Sequence, residues 1–507
     1  MKNPFIVGFS ASLRNARSRE GSRELVRDLK GLKDREALSA YLVKQGNLHL
    51  DQYFQAGRKN GVPYDEMYKT LKKMGGRKGL SNSEVCLAAA LWGACDMGME
   101  VDHLPLADYF KADGTITGWD EIRESLLRAD GVLISTPVYF GDRSSLSQSL
   151  IEMIRQDKEL GKGLKGKIYG GLAVGAKRNG GQETTLIYQM HDMMDLGLLG
   201  VGNDFETTSQ YGGTGHAGDV GTMPKDDYGI GTCVGTGRRV AKVASFMRAA
   251  RENRLIDQLR VGLWILQDKN QEMAGLLEPF LAGLRTEADV TELKMYEKDI
   301  LPCMACDICP SRVGPDEEFR CIRGKTDAMI GLHNEILKAD ILVPAMFSPR
   351  DRGGLASAYQ NFLERTRYLR RGDYAFTDRL IAPLVIAEVG TQENLNMRMA
   401  TSLIRHQTVL QRPIIGWLHN GTLLNPEDIR TGLENALEYG RRLVAGRLAM
   451  IAKGAPVALY KPIGYVLSLS KDNMPEVMSK REKAIQLRIQ RLIEEGRNRL
   501  ESVDNKA

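Results

Sequence analysis

Nowhere in this 507-residue chain does an apolar run approach the roughly 20 residues of a membrane-crossing helix, so no membrane span is expected. The opening Met1-Lys2-Asn3-Pro4-Phe5-Ile6-Val7-Gly8 holds too short an apolar stretch for a secretory signal, which predicts a cytoplasmic location. Charge of one sign is scarce too: 70 Lys and Arg stand against 64 Asp and Glu, for a net +6. Without a basic stripe interleaved with aromatics, no nucleic-acid partner is expected. Cysteine is sparse and odd in number, at seven. In a chain with no export signal this argues for thiols or cofactor ligands over a disulfide framework. Gly235-Thr236-Gly237 lacks the third glycine and the downstream acid of a dinucleotide fingerprint.

What is present is a globular composition, 42% hydrophobic and 26% charged, in a chain too long for one ordinary core. Two domains of roughly 200 residues or more each are the natural division. An internal repeat supports it. Ala129-Asp130 before one apolar run is matched by Ala339-Asp340 before another, an offset of 210 (339 − 129), and Gln182-Glu183 by Gln392-Glu393 at the same offset (392 − 182). Gly237-Arg238-Arg239-Val240 corresponds to Gly440-Arg441-Arg442-Leu443, and the opening strand at Phe5–Phe9 to Val261–Leu266. Alternating strand and helix patterns in both halves predict an α/β fold of two tandem doubly wound parallel sheets. The expected layout is a first domain over 1–255, a second over 256–455 and a helical tail over 456–507. A charged helical insertion over about 18–74 precedes an Ala-rich helix beginning near Ser83, and reads as a cap or a dimerisation arm. In the tail, Ile485, Ile489, Leu492 and Ile493 share one helical face, as in a helix that packs on a domain or a partner.

The run Ala129-Asp130-Gly131-Val132-Leu133-Ile134-Ser135-Thr136-Pro137-Val138-Tyr139-Phe140-Gly141 reads as a buried parallel strand delivering an irregular loop at its carboxyl end. That edge is where open α/β sheets bind ligands. A phosphate there needs N–H groups and hydroxyls at a helix N-terminus. The turn after the first strand offers Ser10, Ser12 and Arg14, and the start of the Ala-rich helix offers Ser81, Asn82 and Ser83, though all six also suit ordinary turn and cap roles. In the second half, Cys303, Cys306 and Cys309 have CxxCxxC spacing and Cys321 is available as a fourth ligand. Four convergent thiolates select an iron-sulfur cluster or zinc, and a redox dithiol is a further reading.

Thr136-Pro137-Val138-Tyr139-Phe140-Gly141 closely resembles the flavin loop of the NAD(P)H-dependent FMN reductases and iron-sulfur flavoproteins, which have a flavodoxin-like fold. Ser10, Ser12 and Arg14 followed by Ser81-Asn82-Ser83 resemble that family's phosphate motif, here split by the insertion. The resemblance implies FMN in the first domain. Its ring would lie along Thr136–Gly141, with Gly175, Gly180, Gly181 and Gln182 beside the isoalloxazine and Tyr211-Gly212 on a further loop near the active site. It also implies a nicotinamide donor, NADH or NADPH, bound transiently over the flavin. The protein's share is to hold and tune the flavin, so no catalytic acid, base or nucleophile is expected. The cysteine run is similar to the family's [4Fe-4S] motif between the second strand and second helix, with zinc as the alternative and with a longer gap from Cys309 to Cys321 than is usual. The second half reads as having lost its flavin site, because Gln267-Asp268-Lys269-Asn270 replaces the serine turn and Phe347-Ser348-Pro349-Arg350 the aromatic loop. Family members commonly dimerise so that one subunit's cysteines approach another's flavin, which implies either a fused pair or a homo-oligomer. The expected function is electron transfer from nicotinamide through FMN to an acceptor that the sequence does not identify. The alternatives are a scaffold holding structural zinc and a simple quinone or azo reductase.

Overall fold

The computed structural model describes residues 3–504 except 75–78, 112, 208, 252–254, 257, 307, 310–318, 356–357, 392 and 456–474. Two compact units divide the chain, Met1–Ser245 and Phe246–Ala507. Gln392 of the repeat lies outside the described residues.

In the first unit the apolar run Phe5–Ser10 forms β1, every residue of it buried. The insertion is helical, with α1 (Arg19–Gly31), α2 (Arg35–Gln55) and α3 (Tyr64–Lys73) preceding α4 (Asn82–Asp96). There follow β2 (Glu100–Pro105), α5 (Trp119–Arg128), β3 (Gly131–Pro137), α6 (Ser145–Gln156), α7 (Lys158–Leu164), β4 (Ile168–Gly175) and α8 (Gln182–Asp195). A fifth strand is broken into β5 (Leu199–Gly200) and β6 (Gly213–His216), both paired to β4, and α9 (Asp227–Ala249) comes after it. All these pairings are parallel, in the order β2-β1-β3-β4-β5/β6. That is the flavodoxin-like order, and it puts the switch point between β1 and β3.

The Ala-rich α4 is apolar on every side and buried from Ser83 to Ala94, the pattern of a helix covered all round. It packs on β1 and β3 and also under α1 and α2, so the insertion forms an added layer. Gly237 in α9 meets the Ala90 carbonyl so closely that it has no room for a side chain. The Gly235-Thr236-Gly237 run is thus a helix-packing feature.

The second unit begins with β7 (Arg260–Gln267), α10 (Glu272–Glu287), β8 (Asp289–Lys294), α11 (Met329–Lys338) and β9 (Ile341–Ser348). Then come α12 (Ala358–Arg365), α13 (Arg367–Asp373), β10 (Leu380–Ile381), β11 (Leu384–Glu388), α14 (Leu395–Leu403), β12 (Val409–Leu410) and β13 (Ile414–His419). The short β14 (Thr422–Leu423), α15 (Pro426–Ala452) and α16 (Pro475–Asp504) complete it, with α16 packed against α15. Pro383 separates β10 from β11 and Pro413 separates β12 from β13, as expected of a residue without an N–H for the ladder. The parallel order is β8-β7-β9-β10/β11-β12/β13, again flavodoxin-like, with β14 antiparallel on β13.

One detail recurs in each unit. The Asp130 carboxylate accepts from the Phe5 N–H at 3.1 Å while the Asp130 N–H donates to the Phe5 carbonyl at 2.7 Å. Asp340 does the same with Arg260, at 3.0 and 2.8 Å.

Candidate functional site

The carboxyl ends of β1, β3 and β4 deliver three loops to one edge of the first unit. After β1, the Ala11 N–H continues the ladder to the Ser135 carbonyl at 2.8 Å, and Ser12 turns the chain by accepting the Arg14 N–H at 3.1 Å. After β3, the Tyr139 N–H bonds the Asp142 carbonyl at 2.8 Å and the reverse bond is 2.9 Å, closing a two-residue turn with Phe140 at φ 53° and Gly141 at φ 81°. Two central residues of positive φ make a primed turn, the tight kind that projects its tip. That tip carries the Phe140 ring fully into solvent and Tyr139 at 57% exposure. After β4, Gly181 at φ 101° comes so near the turn that an added Cβ would stand 2.7 Å from the Gly141 Cα.

Between the first two loops lies a cavity of about 330 Å³, lined among others by Ser12, Leu13, Pro137, Tyr139, Phe140 and Arg143. Ser144 and Ser145 also line it and open α6, with Ser144 as N-cap. The Ser144 hydroxyl donates to the Ala11 carbonyl at 2.6 Å and its N–H donates to Thr136 Oγ1 at 2.9 Å, which locks the two loops together. Arg143 is paired with Asp192 and its Nε lies 3.5 Å from the Asp142 carboxylate, yet its Nη1 is buried without a partner. An orphaned guanidinium nitrogen, serine hydroxyls, a helix N-terminus and exposed aromatic faces on one cavity suit a flat ligand with an anionic tail.

The structure brings some of the expected residues to this cavity and sends others elsewhere. Of the phosphate set, Ser12 lines it. Arg14 stands near its mouth, its guanidinium raised in pKa by Tyr53, Tyr64 and Tyr139 against the opposing, larger effect of burial, and 5.8 Å from the Tyr64 ring centroid. Ser10 is wholly buried, its hydroxyl 3.0 Å from His103 Nε2. Ser81 is the N-cap of α4 in a reciprocal capping box with Glu84. The Glu84 carboxylate, fully buried, accepts the N–H groups of Ala16, Arg17 and Ser81 at 2.8, 3.0 and 2.8 Å. Burial raises its pKa against those donors. The Glu84 carboxylate thus ties the segment after the β1 turn to the start of α4. Asn82 spans from α4 to the Asp219 carbonyl at 2.9 Å, and Ser83 gives its carbonyl to the Ser135 hydroxyl at 2.7 Å.

Gln182 is 2% exposed and bonds the Lys177 and Gly215 carbonyls at 2.7 and 3.1 Å and the Gly180 N–H at 2.9 Å. Its amide fills the space beside Gly175. It therefore pins the third loop, and Gly180 and Gly181 present backbone to the Gly141 turn. Val138 continues the edge by donating to the Val174 carbonyl at 2.9 Å. Tyr211 and Gly212 are placed differently from expectation. Gly213 pairs with Leu172, and Gly212 packs on the Gly171 carbonyl in the middle of β4. The part of that segment that reaches the carboxyl edge is His216-Ala217, where the Ala217 N–H donates to the Gly175 carbonyl at 3.0 Å. Sequence reasoning missed Arg143, Ser144 and Ser145. The signal was a serine pair directly after the aromatic turn, in N-cap position.

In the second unit the cysteine loop runs between β8 and α11, the expected position. Its ends are fastened by a buried Arg365–Asp327 ion pair, with Arg365 also donating to the Leu301 carbonyl at 3.0 Å and Arg323 to the Pro302 carbonyl at 3.0 Å. Ala305 takes φ 50° and donates its N–H to Cys303 Sγ at 3.5 Å. Cys309 is buried and Cys303, Cys306 and Cys321 are half-buried. Burial first, then Cys321, Cys306 and Cys303, pushes the Cys309 thiol up to about 12, so each of the other three thiols lies within electrostatic reach of Cys309. Among the described residues no three ligands are closed to metal-holding geometry. Four thiols are a soft donor set, of the kind that a thiolate-bound metal or cluster requires.

The carboxyl edge of the second unit is occupied by its own side chains. The Asp268 carboxylate accepts the Met273 N–H at 3.0 Å at the start of α10, and Lys269 pairs with Asp351 at 2.7 Å. Ser348 donates to Glu393 at 2.9 Å.

The family described as NADPH-dependent FMN reductase matches residues 74–202, which hold α4 and the loops after β3 and β4. An iron-sulfur flavoprotein of Methanocaldococcus jannaschii is 34% identical over 180 residues, 33% of this chain and 92% of that protein. The chain belongs to the iron-sulfur flavoprotein family. As a member it is an NAD(P)H-dependent FMN oxidoreductase of flavodoxin-like fold. An iron-sulfur flavoprotein of Methanosarcina thermophila is 29% identical over 192 residues, 35% of this chain and 94% of that one. A flavodoxin, WrbA-like protein from Agrobacterium tumefaciens is 15% identical, with a TM-score of 0.25 and 48% of this chain and 98% of that chain covered. That overlap is too low to add to the strand order, on which the fold assignment rests. No described helix is long and apolar enough to cross a membrane.

Proposed function

We propose that FMN occupies the cavity between the Ser12 turn and the Tyr139–Gly141 turn, and that electrons leave it for a [4Fe-4S] cluster held by Cys303, Cys306, Cys309 and Cys321. The observation that carries the reading is the pairing of solvent-facing Tyr139 and Phe140 with the buried, unpartnered Nη1 of Arg143 on one cavity. When bound, FMN supplies hydride acceptance from nicotinamide and release of electrons singly or in pairs.

The chain's own residues do the rest. Arg143, Ser12, Ser144 and Ser145 hold the anionic tail, and the aromatic turn braced by Gly181 backs the ring. Thr136, through Ser144, keeps the turn and the α6 N-terminus in register. At the second site the four thiols supply the ligands. Each must lose its proton to bind, and for Cys309 the buried position makes that loss depend on the metal charge. Arg367 and Arg370 line an adjoining cavity with Cys303, where their charge would offset that of the cluster.

The shared strand order and the Asp130 and Asp340 hydrogen bonds support a tandem duplication. In that reading the first copy keeps the flavin edge, and the second has traded it for the cysteine loop. A homo-oligomer and a cytoplasmic location complete the proposal. The alternative is a simple quinone or azo reductase whose cysteines are incidental.

Anaerobic purification with a visible spectrum, iron and acid-labile sulfide analysis, before and after NADPH, tests these. Flavin bands that bleach, with iron and sulfide in cluster proportion, support two centres. Flavin without iron leaves the simple reductase, and zinc without flavin favours a scaffold.

A further inference from the structure

The second unit holds a cavity of about 390 Å³ beneath α16, with Arg320 at the end of the cysteine loop on its wall. Its walls are strongly cationic: six arginines and Lys338 face it against Asp340, Asp378 and Glu495. Two of the carboxylates are already engaged. Asp340 is taken by Arg260 and Arg499, with N–O distances of 3.0 and 2.8 Å, and Glu495 by Arg260 at 2.6 Å. Arg379 and Arg447 are left with carbonyl partners. Arg379 donates to the Leu337 carbonyl at 2.7 Å and Arg447 to the Thr377 carbonyl at 3.2 Å.

Three polar atoms on these neighbours have no partner at all: Arg379 Nε, Arg447 Nε and Thr377 Oγ1. Arg447 is 9% exposed and Thr377 6%. Burial, then the charge of Arg447, lowers the Arg379 pKa to about 9 against the opposing effect of Asp340. Buried guanidinium groups that lack an anion are costly, and their fork geometry matches phosphate and carboxylate. The remaining wall is apolar, with Leu337, Leu369, Ile451 and Leu492. The volume is within the usual range of small-molecule sites.

We propose that this cavity binds a small organic anion, its phosphate or carboxylate head on Arg379, Arg447 and Thr377 and its apolar body against Leu337, Leu369, Ile451 and Leu492. The site belongs to the second unit alone and is separate from the flavin cavity, which lies in the first. Tyr368, on the cavity wall, is also within electrostatic reach of Cys321 and Cys309.

The test is isothermal titration of the full chain, loaded with FMN so that the flavin cavity is filled, at constant ionic strength. The probes are phenyl phosphate, benzoate and, as neutral control, benzyl alcohol. One anion should bind at a single site and benzyl alcohol should not; the tighter of phenyl phosphate and benzoate identifies the head group. Arg447→Met should weaken binding at least tenfold while the FMN content and NADPH-dependent bleaching stay as in the wild type. Because it removes a buried cation with no carboxylate partner, its melting temperature without ligand should equal or exceed the wild type's. If that variant does not fold, Thr377→Val, which deletes only the unpartnered hydroxyl, is read by the same titration and should weaken binding. Absence of binding by both anions at millimolar concentration, or undiminished binding in the variants, overturns the proposal.

Discussion

Replacing Gly181 by alanine places a methyl group 2.7 Å from the Gly141 Cα, a backbone atom that has no rotamer with which to yield. It also asks an L-residue to hold φ 101°. A positive φ costs about 1–2 kcal/mol for a residue with a Cβ, and forcing an extra carbon into a packed place about 1–3 kcal/mol more. Gly141→Ala isolates the first contribution, because Gly141 has φ 81° but nothing within 4 Å of its would-be Cβ. The expected losses are therefore about 1–2 kcal/mol for Gly141→Ala and about 2–5 kcal/mol for Gly181→Ala. In melting temperature each kcal/mol corresponds to roughly 2–4 °C for a unit of this size. The cheapest relief in Gly181→Ala is to push the Tyr139–Gly141 turn outward, away from the cavity. FMN affinity measured by flavin fluorescence should then fall by about tenfold or more, the equivalent of about 1.4 kcal/mol. Gly141→Ala should remain much closer to the wild type. Equal stability losses in the two variants, or an unchanged FMN Kd in Gly181→Ala, would refute the claim that the third loop braces the flavin turn.

Arg143→Met should weaken FMN by about 1.5–3 kcal/mol, the worth of hydrogen bonds to a charged group, while riboflavin, which has no phosphate, loses less; fluorescence titration of both ligands checks this. The fold should survive, because Asp192 keeps Arg155 as a partner. Acid sensitivity should arise in part from His103, which burial holds down at about 3, with Arg17 adding to the effect. The unfolded chain takes up that proton near pH 6.5, so between about 6.5 and 3 the unfolded state binds more protons and stability falls as pH falls, by up to about 1.4 kcal/mol per pH unit. His103→Gln should flatten the pH dependence of the urea midpoint over that interval; an unchanged slope would show that His103 is not its source.

Much of this was readable from local patterns. The apolar runs at Phe5–Ser10, Gly131–Pro137 and Ile168–Gly175 became the strands whose ends carry the loops, because a buried parallel strand needs only a short apolar run bounded by turn residues. The aromatic turn, the helical insertion and the place of the cysteine loop are equally local, each set by residues within a few positions of one another. What tertiary structure alone decided is where individual side chains point and who claims their polar atoms. Ser10 and Ser12 are two residues apart in a strand and its turn, yet His103, 93 residues on, takes the first hydroxyl into the core while the second lines the cavity. Glu84 occupies the N–H groups of Ala16 and Arg17 from 68 and 67 residues away, and so ties the segment after β1 to α4. Gln182 spends its amide on the loop it was expected to lend to a ligand, and the register of β6 on β4 carries Tyr211 and Gly212 to mid-strand. Hydrogen-bond partners across such separations depend on how the sheet and its covering helices close, and periodicity and turn chemistry hold no information about that closure.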